Sequence, residues 1–452
     1  MHDISIMQTV LAAMVASAAD ACWAVRVGTL WLCLVGCGDD CSPGRNVLYF
    51  NANDGSLHRA TMPGGLDDAE DLGVAADIRA VALGGDLAVA GNWLVGGDGP
   101  VPIPGVFAGF DADGSRIIGT SDSPDRAFLM DTSGAVRTIH EGRGTPSSIA
   151  AGRVALSTFE LAGNGATLAR GAIVIDLASG NVLFDRAGSA SGFYDTVLSP
   201  DGRWLAWSDE TLKTVATVVV PLDGGAESTH AGCVPVPAEG RDFAWPLGGG
   251  ERFPGAPFSP QSDSILLLCD NDLVRFGLGH GTETVLASPG GPARYVGDGS
   301  LLYLVTGRDA VSDGEAVFDD VWVIPPGGLP ERRWADRRFR TLAGVSADGR
   351  YALFASWDVV ESGDVAGFSG RRLESLDLSN ATLDVLSEEP ADAFGAVFAP
   401  DGRTVHYLRR RYDSTARFAA WARVDGCGQG ESALGTPQSS ANPWQAMFAP
   451  DR

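Results

Sequence analysis

The sequence predicts an all-β chain of many short antiparallel strands, and three observations carry that prediction. An Asp-Gly turn followed by an apolar strand keeps returning: DGSRIIGTS from Asp113, DGRWLAWSD from Asp201, DGSLLYLVT from Asp298, DGRYALFAS from Asp348 and DGRTVHYLR from Asp401. The composition, with 45% hydrophobic residues, 59 Gly and 25 Pro in 452 residues, suits short strands joined by turns and fits neither disorder nor a coiled coil. No long segment repeats its apolar residues with a helical period of about 3.6.

Each repeat begins with a turn that its residues dictate. Gly114, Gly202, Gly299, Gly349 and Gly402 can take positive φ without a Cβ clash, and the carboxylates of Asp113, Asp201, Asp298, Asp348 and Asp401 can accept hydrogen bonds from backbone N–H groups. SPQSDSILLLC from Ser259 is a looser copy. In the strand that follows, Ile117, Leu205, Leu302, Ala352 and Val405 share one column. The next column holds Ile118, Ala206, Tyr303, Leu353 and His406, which lie on the opposite face and are also largely apolar. A strand dry on both faces belongs either to a parallel sheet covered by helices or to small sheets packed face to face. With no helices to supply crossovers, the expectation is a β-propeller of four-stranded antiparallel blades.

A second series of turns completes the blades, near Gly64, Ser133, Ser179, Gly224, Gly279, Gly327, Ser379 and Gly426. Eight such turns favour eight blades; nine follows if residues 76–105 form a blade of their own, and seven if one weak copy is a loop. The chain opens on VLYFNAN and SLHRATM without a preceding first strand, and it ends on WQAMFAPDR, a first strand without successors. Pairing the last strand with the first blade would close the ring. Strands of an ordinary sandwich are the alternative.

The repeats SPDGRWLAWSD and APDGRTVHYLR resemble those of the TolB-like, WD-repeat-like propellers of bacterial envelope proteins, over about Val47 to Arg452. That resemblance implies a fold but no reaction, because such blades occur in binding subunits and beside peptidase domains. The chain departs from the pattern in degraded second and fourth blades and in a loop-rich insert from Ala238 to Pro257.

Charge narrows the partners. With 33 basic against 57 acidic side chains the net charge is −24, which repels nucleic acid and anionic lipid surfaces. Two basic clusters interrupt this background, ERRWADRRFR from Glu331 to Arg340 and Arg409 to Arg411. They read either as a docking patch for an acidic partner or as solvated loops and strand edges.

The N-terminal region reads as an export signal. From Val25 the chain runs VRVGTLWLCLVGCGDDCSPG, an Arg and then an apolar stretch too short to span a bilayer. Leu34, Val35, Gly36 and Cys37 resemble a bacterial lipobox, which implies removal of residues 25–36 as a signal peptide and lipidation of Cys37. Multiple acyl chains anchor far more firmly than one, at about 0.8 kcal/mol per buried methylene. Residues 1–24, acidic and without Lys or Arg, read as a mis-called extension ahead of a start at Val25; an alternative takes Ile4 to Ala18 as the apolar core of the signal. Residues 37–46 form a tether, and 47–452 the propeller. Of the 7 Cys, Cys41, Cys233, Cys269 and Cys427 remain after export and lipidation. Mapping onto the repeats favours the disulfides Cys233–Cys269 and Cys41–Cys427, with free thiols as the alternative.

No reaction is named by the sequence. The 6 His stand at scattered positions without metal-ligand spacing, and no G-x-S-x-G elbow occurs. His406 reads as a core imidazole. DADGSRIIGTSD from Asp111 departs from a calcium loop in its glycine place and its last residue and reads as a hairpin. No catalytic residue, metal ligand or cofactor is therefore assigned. The reading is a non-catalytic envelope lipoprotein, in the periplasm or at the cell surface and most plausibly on the outer membrane, that binds another envelope protein or a glycan. The alternative is an extracytoplasmic hydrolase or lyase at one mouth of the channel. Clustering of His58, His140, His230, His280, Asp195 and Asp242 would favour it.

Overall fold

A computed structural model describes the strand pair Ala24–Val27 and Leu30–Cys33, and then the chain from residue 45 to 448 apart from short interior stretches, the longest being 237–256. In the outer parts of the longest hairpins the backbone alone is described. Among the described residues are nine antiparallel sheets of four strands, the last with a short fifth strand, Gln438–Ser439, paired to its third, and a single 3-10 turn at Leu66–Asp68. Among the described residues no helix is long and apolar enough to cross a membrane.

The sheets, numbered I to IX, follow one another along the chain. Sheet I contains Asn46–Asn51, Ser56–Met62 and Glu70–Ala75, with Met447–Phe448 as its fourth strand, and sheet II spans Ile78 to Pro102. Sheet III runs from Val106 to Glu141, IV from Gly144 to Arg186, V from Phe193 to Ala231 and VI from Cys233 to Ala287. Sheet VII runs from Ala293 to Trp334, VIII from Arg338 to Ser387 and IX from Ala393 to Ala433. First strands neighbour first strands: that of IV lies between those of III and V, and that of IX lies against both that of VIII and Met447–Phe448. The first strands thus line an axis and the fourth strands lie outermost. The chain is a β-propeller.

Every seam from I/II to VIII/IX carries its own apolar cluster drawn from both sheets. Tyr49 meets Val81, Leu94 meets Phe128, Ile118 meets Leu156, and Val174 meets Trp207. Ala206 and Ile265, Leu266 and Tyr303, Leu304 and Phe354, and Leu353 and Phe398 continue the series. The two apolar columns of each second strand serve the two neighbours: Leu205 faces IV and Ala206 faces VI. Fully burying one aliphatic or aromatic side chain contributes about 1.5–3 kcal/mol, so the seams hold the wheel together. Met447 pairs with Tyr49, and Phe448 with Leu48.

The turn geometry answers the repeat. In sheet V the Ser199 hydroxyl donates to the Asp201 carboxylate at 2.6 Å, that carboxylate accepts the Arg203 N–H at 3.0 Å, and Gly202, at φ 68°, donates its N–H to the Ser199 carbonyl at 2.8 Å. Ser346, Asp348 and Arg350 repeat these bonds in sheet VIII at 2.6 and 3.0 Å. In sheet IX Asp401 accepts from the backbone N–H and the hydroxyl of Thr404. In sheet III it is Asp111 that accepts, from the Arg116 N–H at 2.9 Å, and it also ion-pairs with that guanidinium; Asp113 lies outside the described residues, as does Asp298 of sheet VII.

The described residues carry nine sheets rather than the preferred eight, meeting the condition set for nine, because residues 78–102 form sheet II. Its strands have four residues or fewer, and its first turn carries Asp86 after Gly85 rather than before it. The loop bonds are nevertheless those of the repeat, Ala82 N–H to Leu87 carbonyl at 2.8 Å and Gly85 N–H to Ala82 carbonyl at 3.0 Å.

Candidate functional site at the long-hairpin mouth

The two ends of the wheel differ. At one end the Asp-Gly turns are tied to the second turns by single backbone bonds, Leu222 N–H to Arg203 carbonyl and Leu378 N–H to Arg350 carbonyl, both at 2.8 Å. The other end carries the links between sheets and the hairpins joining second to third strands. Those hairpins are uneven. Both strands have 4 residues in sheet II, 6 in VI and 7 in III and V, but 9 and 10 in IV, 9 each in IX, 11 each in VII, and 12 and 13 in VIII. At a rise of about 3.3 Å per residue, 12 residues against 6 lifts the tip of VIII roughly 20 Å above that of VI. Sheets VII and VIII therefore raise a wall at one place on this mouth, with the hairpins of IV and IX lower.

At the foot of the wall, charged side chains are drawn into the VII/VIII seam. Arg338 and Arg340 alternate along the first strand of VIII, so both point toward VII. The Arg340 side chain, 0% exposed, reaches three acceptors: Glu374 on the third strand of VIII at 3.3 Å, the Asp319 carbonyl of VII at 3.1 Å and the Asp336 carboxylate at 2.7 Å. Its own backbone N–H donates to the Asp319 carboxylate at 2.9 Å. Arg338 donates to the Ser356 hydroxyl at 3.0 Å, ion-pairs with Asp358 and lies 3.5 Å from Glu374. Burial pulls its guanidinium below the ordinary value, while Glu374 and Asp358 pull the other way. The two arginines balance Glu374 and Asp319, all four buried, and leave the carboxylates of Asp336 and Asp358, 28% and 43% exposed, at the rim.

The cluster from Glu331 to Arg340 is thus neither a wholly exposed patch nor a solvated loop. Arg332 pairs with Asp320 and Arg333 with Glu331 on the outer strand of VII, whereas Arg338 and Arg340 are core residues of the seam. The side chains of Arg409 to Arg411 lie outside the described residues.

Sheet VI is irregular at the same mouth. Its first strand pairs only over Cys233–Pro235, then Val236 N–H donates to the Leu266 carbonyl and Leu266 N–H donates to the Pro257 carbonyl, at 3.1 and 2.7 Å. The insert read from the sequence therefore leaves and rejoins at Leu266, in the middle of an axis-lining strand. Cys233 and Cys269, opposite one another with Cα atoms 4.0 Å apart, are joined by a disulfide. Cys37, Cys41 and Cys427 lie outside the described residues, as do Asp242 and the Asp195 side chain.

The histidines do not converge. His58 sits on the third strand of I, bonded to Ser56 at 2.9 Å and stacked on Phe50; His140 and His230 lie on the outermost strands of III and V, and His280 in the outer turn of VI. Burial lowers the pKa of both His140 and His230. Among the described residues no three of His, Cys, Asp and Glu gather as a metal site. A small cleft of about 220 Å³ lies instead between the outer parts of I and II, lined by Arg59, Glu70, Val95 and Gly96 among others.

No family model matches the sequence, and no curated protein matches it. Among solved structures, a eukaryotic initiation factor superposes with a TM-score of 0.51 at 12% identity, covering 90% of this chain and 99% of its own. At that identity the likeness bears on the fold alone. TolB from Acinetobacter baumannii matches at a TM-score of 0.32 and 16% identity, over 77% of this chain and 84% of that one. The β-propeller domain of the trilobed protease from Pyrococcus furiosus matches at 0.37 and 11%, over 65% and 95%.

Proposed function

We propose that the chain is an exported, lipid-anchored propeller of the bacterial cell envelope whose long-hairpin mouth is a non-catalytic docking platform for another envelope protein or a glycan. Cys37 receives the lipid after removal of the preceding residues, the tether holds the wheel at the outer membrane, and the acidic surface keeps nucleic acid away. The TolB-like, WD-repeat-like repeats agree with that setting.

The observation that carries this reading is the uneven mouth. A wall of two long hairpins, VII and VIII, costs conformational order that the wheel does not need, and it stands on a charged seam where an apolar one would serve stability as well or better. Departures from local rules that do not help the fold are expected where a protein binds.

The test uses the lipidated chain as bait in detergent-solubilised envelopes, beside a variant in which residues 308–317 of the VII hairpin are replaced by Asn-Gly. A partner recovered by the parent and lost by the trimmed chain supports the platform. Equal recovery by both, or turnover of an envelope polymer by the purified chain, contradicts it. Fatty-acid labelling that survives Cys37→Ser contradicts the anchor.

A further inference from the structure

We infer that the outer edge of sheet V, Ser228–Ala231, takes up an extended basic segment of a partner protein as a fifth strand; this docking edge is separate from the long-hairpin mouth and does not depend on the reading given above.

Every sheet of the wheel ends in an outer strand whose far side carries unpaired N–H and C=O groups, a template on which an extended chain can add. Eight of the nine sheets blunt it. In III, IV, VI, VII and VIII one extra residue of the outer strand, Ile139, Leu183, Leu286, Arg333 or Leu386, stands between neighbouring pairs and bulges the edge. The edge of I is bulged further, since Ser56 pairs with Ala75 but His58 with Asp71. The outer strand of II stops after two residues, the second being Pro102. That of IX is broken, with Ala433 opposite Trp421 and Gln438 opposite Phe418. Among the described residues only sheet V keeps an unbroken register of this kind, Ser228 to Ala231 against Val219 to Ala216. The ladder runs on through the Gly232 N–H, which donates to the Val215 carbonyl at 2.7 Å.

Alternation along the strand fixes which groups face outward. Gly232 points its N–H at the third strand, so His230 and Ser228 do too, and the N–H and C=O of Thr229 and Ala231 point away from the sheet. Both residues are exposed, and no described strand pairs with them on that side. His230, half-buried, stands edge-on to Phe276 of sheet VI with ring centroids 4.0 Å apart, which ties the strand to its neighbour.

Charge selects the occupant. Glu227 precedes the strand with its side chain 48% exposed, and at the other end Asp270 Oδ1 lies 3.8 Å from where a Cβ on Gly232 would stand. The exposed Glu283 is opposite Phe276. Arg186 offsets Glu227 at 2.7 Å and leaves Asp270 and Glu283 for Lys or Arg side chains of an incoming strand. A second copy of the chain, itself at −24, is repelled. In such strand addition the backbone bonds supply affinity and alternate side chains supply selectivity.

The experiment titrates the full chain, by fluorescence anisotropy, with a labelled nine-residue peptide that alternates Lys with Val or Thr. Two controls carry Glu in place of Lys, or Pro at the third and sixth places, which removes an N–H from either edge of the peptide. The account expects saturable binding of the basic peptide and at least about tenfold weaker binding of both controls. Thr229→Pro, which removes an outward N–H and no bond of the sheet, should weaken binding about tenfold. Hydrogen exchange at residues 228–232 should slow with the basic peptide bound, and Glu283→Lys should weaken binding at low salt. No binding of the basic peptide, equal binding of the basic and acidic peptides, or undiminished binding by Thr229→Pro in a chain with unchanged melting would overturn the inference. If that variant melts lower, equal binding of the Pro-bearing peptide or unslowed exchange overturns it instead. A dimer that forms without peptide and is lost in Thr229→Pro would put a second copy in place of the basic segment. These substitutions leave the mouth untouched, so the capture experiment above stands or fails separately.

Discussion

Seams IV/V and VII/VIII join neighbouring sheets by the same topology with opposite chemistry. In IV/V, Trp207 is 1% exposed among Ala155, Val174, Leu205 and Val218, and near the axis the seam is sealed by hydroxyls: Thr196 bonds to Ser147, and Ser157 lies 3.0 Å from Thr196. In VII/VIII, Leu304 and Phe354 form the apolar part, and the mouth end is occupied by Arg338, Arg340, Asp319 and Glu374. The first seam uses what the wheel needs for stability. The second buries four charges where short hydroxyls or aliphatic groups suffice elsewhere. Buried ion pairs seldom add net stability, yet removing one partner leaves an uncompensated charge. The difference assigns IV/V to holding the ring and VII/VIII to holding the mouth in one shape.

The comparison is broken most forcefully by truncation. Trp207→Ala and Arg340→Ala should each destabilise by about 3–5 kcal/mol, the first through a cavity and the second through stranded Glu374 and Asp319. Urea unfolding measures both, and a loss under about 1 kcal/mol for Arg340→Ala would mean that water already reaches those carboxylates.

Acid sharpens the contrast once a third site is removed. His406, 0% exposed on the second strand of IX, has its pKa pushed down to about 4 by burial, against about 6.5 in the unfolded chain. Between those values the unfolded state binds a proton that the folded state refuses, so stability is full above about pH 6.5 and falls as pH drops toward about 4, by about 3 kcal/mol in all. His406→Leu should flatten that slope in urea titrations at about pH 7 and about pH 5. An unchanged slope would place the acid response elsewhere, with the half-buried His140 and His230 next in line. The smallest effect belongs to the hydroxyl seal: Thr196→Val should cost about 1 kcal/mol and leave partner capture untouched.

The legibility of the two regions follows from where their signals lie. The Asp-Gly turns and paired apolar columns are local, so Asp201, Gly202, Leu205 and Ala206 announce a strand packed on both faces before any coordinates exist. Sheet II was legible only as an alternative, over residues 76–105, because Asp86 follows its turn glycine and its strands are too short for a period to show. The charged seam was hidden for another reason. Arg340 finds Asp319 and Glu374 at sequence separations of 21 and 34 residues, and a run of arginines in an acidic chain reads as surface. One clue stood in the sequence: Arg338 and Arg340, two apart in a strand, must share a face. The insert was visible as loop-rich, but only the bonds around Leu266 place its ends in an axis-lining strand.

The double substitution Arg340→Met with Glu374→Leu tests most directly whether the charged seam serves the mouth rather than the fold, with urea stability and binding read on the same preparation. The account predicts stability equal to the parent's or higher, by up to about 4 kcal/mol, together with lost capture of the envelope partner. A variant that binds as the parent does, or that unfolds as readily as Arg340→Ala, would contradict it.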